Sequence, residues 1–407
     1  MILKARYVVP VDGPVSENGC IVVDGGRIRS VGPAIDHEGE SATDFGAAVL
    51  TPGFVNAHTH LELTGRAGRV PPTPDFVDWL RRLMVIRNAQ PATRETLQAA
   101  VREGISQSLA AGVTALGDIT TAPAWTREAL AESGVSAVSF GEVAAIGRRR
   151  HLLAERLAAA AAATRATARM RIGISPHAPY TVAPDAMRAC AERARSIEAP
   201  LCTHLSETPE EERFTRFADG PLAEFLRDLN VWDQSISASG CSPIELAERT
   251  GLLSDRTVIA HANYVSDADV ERIARWGASV AYCPRTHAAF GHAAHRFREM
   301  LTAGINVCVG TDSLASNPSL SVLDELRFLH RRHPDIAAAE LLAMGTIRGA
   351  RALGLANETG SLTPGKYADL AVIPLDGHQG GDAGWEAMLD SNADPIAVYL
   401  AGERRDS

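Results

Sequence analysis

Residues 170–207 read MRIGISPHAPYTVAPDAMRACAERARSIEAPLCTHLSE. The stretch opens on a short apolar run, 170–175, that ends in Ser175-Pro-His177. An Ala-, Arg- and Glu-rich segment of helical periodicity follows over 184–198. A second apolar run, 201–204, then ends in His204-Leu-Ser-Glu207. Strand, helix and strand in that order make a crossover between parallel strands. The same alternation extends outward on both sides. Further strand candidates are 53–57, 114–119, 137–143, 257–261, 279–283 and 306–310, which brings the total to eight. Helix candidates between them are 93–111, 124–133, 151–169, 267–276 and 295–303. Eight alternations over most of the chain predict an α/β fold of the (β/α)8 TIM-barrel type. A doubly wound sheet is the rival, but no Gly-x-Gly-x-x-Gly follows the first strand.

The two ends of the chain break this rhythm. Residues 6–9 and 20–23 are β-rich, and Asp24-Gly25-Gly26 signals a hairpin. Near the other end, Gly360-Ser-Leu-Thr-Pro-Gly365 is a turn that leads into an apolar strand reaching Ile373. The two ends are therefore expected to pair. A composite β-sandwich of 1–52 and 355–407 would flank a catalytic barrel of 53–354. That gives two domains for 407 residues, within the two or three that about 150 residues per domain suggests.

Composition narrows the class. Hydrophobic residues make up 45% and charged residues 22%, which excludes a disordered chain. The formal charge of −9 argues against a nucleic-acid partner, which needs a basic surface. The six cysteines form no Cys-x-x-Cys pair and read as buried free thiols in a reducing compartment. The first residues, MILKARYVVPVDG, do not read as a signal peptide, and no apolar run is long enough to span a bilayer. The expectation is a cytoplasmic protein with a small-molecule substrate, no nucleic-acid or membrane partner, and self-association as the one protein contact to look for.

In a barrel of this type the active site lies at the C-terminal ends of the strands. Strand one ends in His58-Thr-His60, strand four in His177, strand five in His204 and Glu207, strand six in His261 and strand eight in Thr311-Asp312. His58 and His60 are two apart on an extended chain, so both imidazoles can reach one metal. His204 and Asp312 could complete a set of three histidines and one carboxylate. Nitrogen and oxygen donors of this kind suit zinc best, with iron or manganese as alternatives. Taken singly, each residue could be a hydrogen-bonded structural histidine or a helix cap. Convergence at one end of five strands favours a site. Glu207 stands where a helix could begin and reads as a general acid/base beside the metal. Glu210, Glu211 and Glu212 read as first-turn acids that complement the helix dipole.

Other candidates are weaker. Phe76, Trp79 and Leu80 have the spacing of a helix packed into a core. The same segment could stack a substrate ring on Trp79 and offer Arg82 to a carboxylate. His287, His292 and His295 follow strand seven, and His287 could touch the substrate there or simply make the loop polar. His151, His330, His333 and His378 read as surface residues.

Thr51-Pro-Gly-Phe-Val-Asn-Ala-His58-Thr-His60 closely resembles the opening motif of the amidohydrolase superfamily. Gly310-Thr-Asp312-Ser resembles its strand-eight motif, and Gly360-Ser-Leu-Thr-Pro-Gly-Lys-Tyr-Ala-Asp369-Leu its returning β-domain motif. His204-Leu-Ser-Glu207 and Ser175-Pro-His177-Ala-Pro-Tyr180 resemble the branch of purine, nucleoside and triazine aminohydrolases or chlorohydrolases. The resemblance implies that His58, His60, His204 and Asp312 bind the metal. It implies that His261 holds or polarises the nucleophilic water, that Glu207 protonates a ring nitrogen, and that His177 contacts the substrate. Two departures touch the pocket rim: the long 208–256 segment between strands five and six, and Cys283-Pro-Arg-Thr-His-Ala where many relatives have Pro-x-Ser-Asn. These features are more similar to the aminodeoxyfutalosine deaminases of menaquinone biosynthesis than to the S-adenosylhomocysteine or guanine deaminases; an S-adenosylhomocysteine/methylthioadenosine or guanine deaminase and a triazine-type chlorohydrolase are the alternatives. A scaffold without turnover is disfavoured, because the full ligand set is present.

Only Lys4 and Lys366 are lysines, and both fall in the terminal segments. Dinuclear members of the superfamily bridge two metals through a carboxylated lysine on strand four. None stands there, so the expectation is one divalent metal ion per chain.

Overall fold

The computed structural model describes residues 1–89, 92–163, 167–375 and 384–405. Eight parallel strands run Phe54–Thr59, Val113–Thr120, Ser136–Val143, Met170–Pro176, Leu201–Leu205, Thr257–His261, Ser279–Tyr282 and Val307–Val309. They pair in sequence order. The eighth returns to the first: the backbone N–H groups of Thr311 and Asp312 both donate to the His58 carbonyl at 3.1 Å, and the Asn56 amide donates to Thr311 Oγ1 at 2.7 Å. The barrel closes tightly here. A Cβ at Gly310 would lie 2.9 Å from both Cβ and O of His58, so only glycine fits. Small apolar side chains including Ala57, Ala115, Val138 and Ala281 share one buried cluster with Leu353 and Leu355 from the chain that follows strand eight. All eight expected strands are present, each within a few residues of its expected limits.

The helix expected over 151–169 is shorter. A 3-10 turn at Gly147–Leu152 leads into an α-helix at Leu153–Ala161. The chain then turns extended at Ala162. Arg127 explains the stop. Its guanidinium is buried and donates to the carbonyls of Ala160 at 2.8 Å and Ala162 at 3.0 Å, a cation on the helix's negative end.

Both chain ends contribute to a second sheet. Its strand order is Glu403–Arg405, Ala397–Leu400, Leu370–Pro374, Ala48–Pro52, Ile2–Val8, Ser16–Asp24 and Arg27–Pro33. The hairpin at Gly25-Gly26 has φ of +54° and +76°, the paired positive values a two-residue turn between twisted strands needs. The sheet curls so that its outer strand meets the chain entering Leu370–Pro374: Ile28 N–H donates to the Lys366 carbonyl at 2.9 Å. Inward residues of the six longer strands form one apolar cluster. The six cysteines are free and buried. No helix among the described residues is long and apolar enough to cross a membrane.

Candidate active site and metal centre

The barrel ladder brings the strand-end histidines to one place. The ring centroid of His58 lies 5.0 Å from that of His60, 4.9 Å from that of His204 and 5.4 Å from that of His261. Among the described residues, His58, His60 and His204 form a group whose ligand atoms lie within 4.8 Å of one another. Asp312 Oδ1 joins them at 3.8 Å from His58 Nε2 and 3.6 Å from His60 Nε2. Its other oxygen accepts from Ser316 Oγ at 2.5 Å, which fixes the free oxygen towards the histidines. His261 and Asp312 both adopt left-handed backbone, with φ of +72° and +58°. Such strain in residues with a Cβ clusters at functional sites.

Three observations fit this group to a metal. First, His58 Nε2 is fully buried and has no hydrogen-bond partner. Second, His204 Nδ1–H donates to the His177 carbonyl at 3.0 Å, so its Nε2 carries a lone pair, directed at His60 Nε2 only 3.3 Å away. Third, burial holds these imidazoles neutral: the His58 and His60 values fall well below the usual range and that of His204 falls to about 3. Neutral nitrogen lone pairs and a carboxylate around one point match the donor set of a zinc-type ion. Lys4 and Lys366 donate to the His37 carbonyl and Ser361 Oγ in the terminal segments, far from any bridging position.

Glu207 faces His261, with Oε1 3.5 Å from Nε2. Burial first, then Asp312 and Glu211, push its carboxyl well above the usual range, which favours its protonated form. Its neighbour Glu211 stands in the first turn of the helix, as the sequence suggests, and has a further task there. It is buried and accepts from the backbone N–H of Ser206 at 2.9 Å and of Glu207 at 2.7 Å, pinning the turn that carries Glu207. Thr208 does cap this helix, accepting from the Glu211 N–H at 3.2 Å.

A cavity of about 490 Å³ opens over these groups, within the range of small-molecule sites. His177 reaches it, with its ring 4.8 Å from that of His204. Trp79 lines it too, yet is 6% exposed, donates its Nε1–H to the Val70 carbonyl at 2.9 Å and packs against Phe76 and Phe290. It is a core residue with one edge on the cavity. Arg82 does not reach the cavity. Its guanidinium is held outside by Asp78 at 3.0 Å, Thr73 and the Pro71 carbonyl. His287 is also absent from the lining, buried against Tyr282 and His295.

The structure adds residues that sequence reasoning missed. Arg87, on the same helix as Arg82, lines the cavity with Arg149 and Arg156. Phe225, Leu226 and Leu229 close the cavity from the long 208–256 segment, which folds into helices at Pro209–Phe217, Pro221–Asp228 and Pro243–Arg249. The length of that segment was the one available signal. Of the other histidines, His151 is exposed, whereas His330 and His333 are half-buried against Asp390 and Phe297. His378 lies outside the described residues.

Known proteins share this architecture. The chain is 30% identical over 390 residues to a 5-methylthioadenosine/S-adenosylhomocysteine deaminase of Desulforudis audaxviator, covering 91% of this chain and 84% of that protein. It is 29% identical over 379 residues to a 5'-deoxyadenosine deaminase of Methanoregula boonei, covering 90% and 78%. The crystal structure of Helicobacter pylori aminofutalosine deaminase in complex with methylthio-coformycin superposes with a TM-score of 0.86 at 25% identity, covering 100% of both chains. The Amidohydrolase family model matches residues 49–404, and the chain belongs to the amidohydrolase family.

Proposed function

We propose that this chain is a metal-dependent hydrolase of C–N bonds that deaminates an adenosine-like substrate, with an aminodeoxyfutalosine-type nucleoside as its preferred substrate. The observation that carries the reading is the pairing of Glu207 with the strand-end cluster: a buried carboxyl, its proton affinity raised by burial, 3.5 Å from His261 and on the turn just after His204. The names of the similar proteins support the same reaction class.

His58, His60, His204 and Asp312 would hold the ion. When bound, it supplies the Lewis acid that makes water nucleophilic near neutral pH. Asp312, its carboxyl pushed up to about 6 by burial, takes a proton from the attacking water. His261 orients that water through Nε2. Glu207 donates its proton to the ring nitrogen next to the amino-bearing carbon, so negative charge does not build up there as the carbon becomes tetrahedral. The proton held by Asp312 then goes to the departing amino group. The C–N bond breaks, ammonia leaves, the oxygen stays on the ring as a carbonyl, and the second water proton, released as that carbonyl forms, replaces the one Glu207 gave.

The finer reading rests on the cavity wall. Arg87, Arg149 and Arg156 line the same space as an apolar wall of Phe225, Leu226 and Leu229. That pairing suits an aromatic or thioether tail carrying a carboxylate. Aminodeoxyfutalosine and S-adenosylhomocysteine have such a group, and methylthioadenosine does not. Zinc-loaded protein is to be offered adenosine, methylthioadenosine, S-adenosylhomocysteine, aminodeoxyfutalosine, guanine and a chlorotriazine. Ammonia release from the adenosine-like compounds, fastest with aminodeoxyfutalosine, is the expected result. Chloride release or ring opening without ammonia would sink the deaminase reading. Ammonia release fastest with methylthioadenosine would overturn only the choice of substrate.

A further inference from the structure

The mechanism leaves one half-buried acid in the cavity without a task. Glu142 stands on the third barrel strand, Ser136–Val143, with its Cα paired to that of Ser175 on the fourth. Its side chain is 16% exposed and its Oε2 lies 4.0 Å from His177 Nε2. Both residues line the cavity. Glu62 on the same cavity shows what a satisfied acid looks like here. Its carboxylate accepts from Thr120 Oγ1 at 3.0 Å, Thr121 N–H at 2.9 Å and Thr121 Oγ1 at 2.8 Å. No side chain or backbone group among the described residues donates a hydrogen bond to the Glu142 carboxylate, and burial raises its affinity for a proton. A half-buried acid that faces the cavity with no protein donor leaves its oxygens to whatever fills the cavity.

His177 cannot supply one. The Thr181 hydroxyl donates to the Ala178 carbonyl at 3.1 Å, so at 2.7 Å it accepts from His177 Nδ1–H. That fixes the tautomer and leaves His177 Nε2 as a lone pair. Two acceptors therefore sit 4.0 Å apart, facing the cavity. A ligand that satisfies both must bring hydrogen-bond donors. A cationic group would meet Arg87 and Arg156, whose positive charges act on the Glu142 carboxylate. Neutral hydroxyls meet no such repulsion.

We infer that Glu142, with His177 Nε2 beside it, accepts hydrogen bonds from a pair of neighbouring sugar hydroxyls and makes the enzyme selective for nucleosides that carry them. The inference rests on the nucleoside reading above and adds a specificity-determining residue to it. A carboxylate has two oxygens and no donor of its own, so it suits a vicinal diol. The chain from the metal group supports the order of binding. His204 belongs to the cluster, His177 is one ring further out, and Glu142 follows. A purine ring reacting at the cluster would lay its sugar over the outer members.

The test is a double-mutant cycle on the full chain loaded with zinc. The most reactive nucleoside of the panel and its 2'-deoxy and 3'-deoxy counterparts are compared in the wild type, Glu142→Gln and Glu142→Leu, by ammonia release. In the wild type, removing either hydroxyl should lower kcat/KM about 10- to 100-fold. Glu142→Leu should lower kcat/KM for the parent nucleoside by a similar factor, and the penalty for the missing hydroxyl should shrink below about threefold. Glu142→Gln keeps an acceptor oxygen and should fall between the two. Metal content and melting temperature report whether each variant is folded, and Glu142→Gln carries the cycle if the leucine variant is not. An unchanged deoxy penalty in folded variants overturns the inference while leaving the deaminase reading intact, as does a wild type indifferent to the hydroxyls, the outcome if only water bridges the two acceptors. No ammonia from any nucleoside defeats the deaminase reading and this inference with it.

Discussion

The floor and the wall of the cavity are built on different principles. The floor is His58, His60, His204, His261 and Asp312, each at or just beyond the end of a barrel strand. The backbone there is locked by the ladder and by the closure between His58 and Asp312. The wall comes from the helix Phe76–Ala89, the strand-three loop with Arg149, and the helices of 208–256. Its polar groups are more exposed, Arg87 at 36% against 0% for His58. A rigid floor fixes the geometry on which bond-breaking depends, while the wall can change without disturbing it. Floor substitutions should therefore abolish turnover whatever the substrate. Wall substitutions should re-rank substrates.

The largest effects belong to the floor. His204→Ala or Asp312→Ala should lower kcat/KM by at least about a thousandfold on every substrate, with metal content falling in parallel. Chelation of the wild type should do the same and be reversed by zinc. Metal analysis alongside kinetics checks both. Substrate-dependent losses would erase the distinction. Glu207→Gln comes next. It keeps shape and removes the acid, so kcat should fall about 10²- to 10⁴-fold with the metal retained. Near-native turnover would remove Glu207 from the reaction.

Floor and wall also differ in how far the sequence reveals them. Strand-end histidines were readable because a barrel strand imposes its period of two and its direction, so His58 and His60 must face the same way. The wall obeys no such period. Arg82 and Arg87 are both arginines on one helix, five positions apart. Asp78, Thr73 and the Pro71 carbonyl hold the first outside the cavity, a tertiary outcome that spacing does not encode. Glu211 is the first-turn acid that the sequence suggests, but its second task stays hidden for a similar reason. Its first-turn position is that of a solvated acid, but the turn folds back and buries it under Ser206 and Glu207. The helix that ended at Ala161 rather than Arg169 depended on Arg127, which lies 34 residues earlier than Ala161.

A wall prediction sharpens the contrast. Arg87→Leu should raise KM about 10- to 100-fold for substrates with a carboxylate tail, and less than about threefold for methylthioadenosine, with kcat little changed. Steady-state kinetics on the two substrate types is the measurement. Equal effects on both would mean that Arg87 acts on the floor, through Glu62 at 3.9 Å.

The smallest expected effect tests how the floor is supported from below. Glu325 is fully buried on the helix Val322–Arg332. Its Oε1 accepts from Asn317 Nδ2 at 2.7 Å and its Oε2 from the Arg285 N–H at 2.8 Å. Asn317 in turn donates to the carbonyl of Thr311, next to Asp312, at 2.8 Å. Burial pushes the Glu325 carboxyl up to about 8 from an ordinary 4.5, against the pull of Asn317 and Arg285. The folded chain therefore keeps a proton that the unfolded chain releases. Its contribution is fully present below about pH 4.5 and is lost as the pH rises through about 8. Glu325→Gln cannot ionise. The amide brings a donor where the carboxylate accepted, so the variant starts with a constant loss of stability. Between pH 5 and pH 9, however, the wild type should lose about 2–4 °C more of its melting temperature than the variant does, while the variant's kcat at neutral pH stays within about threefold. Parallel melting curves across that range would mean that the floor rests on the Asn317 hydrogen bonds alone, with no titrating group beneath it.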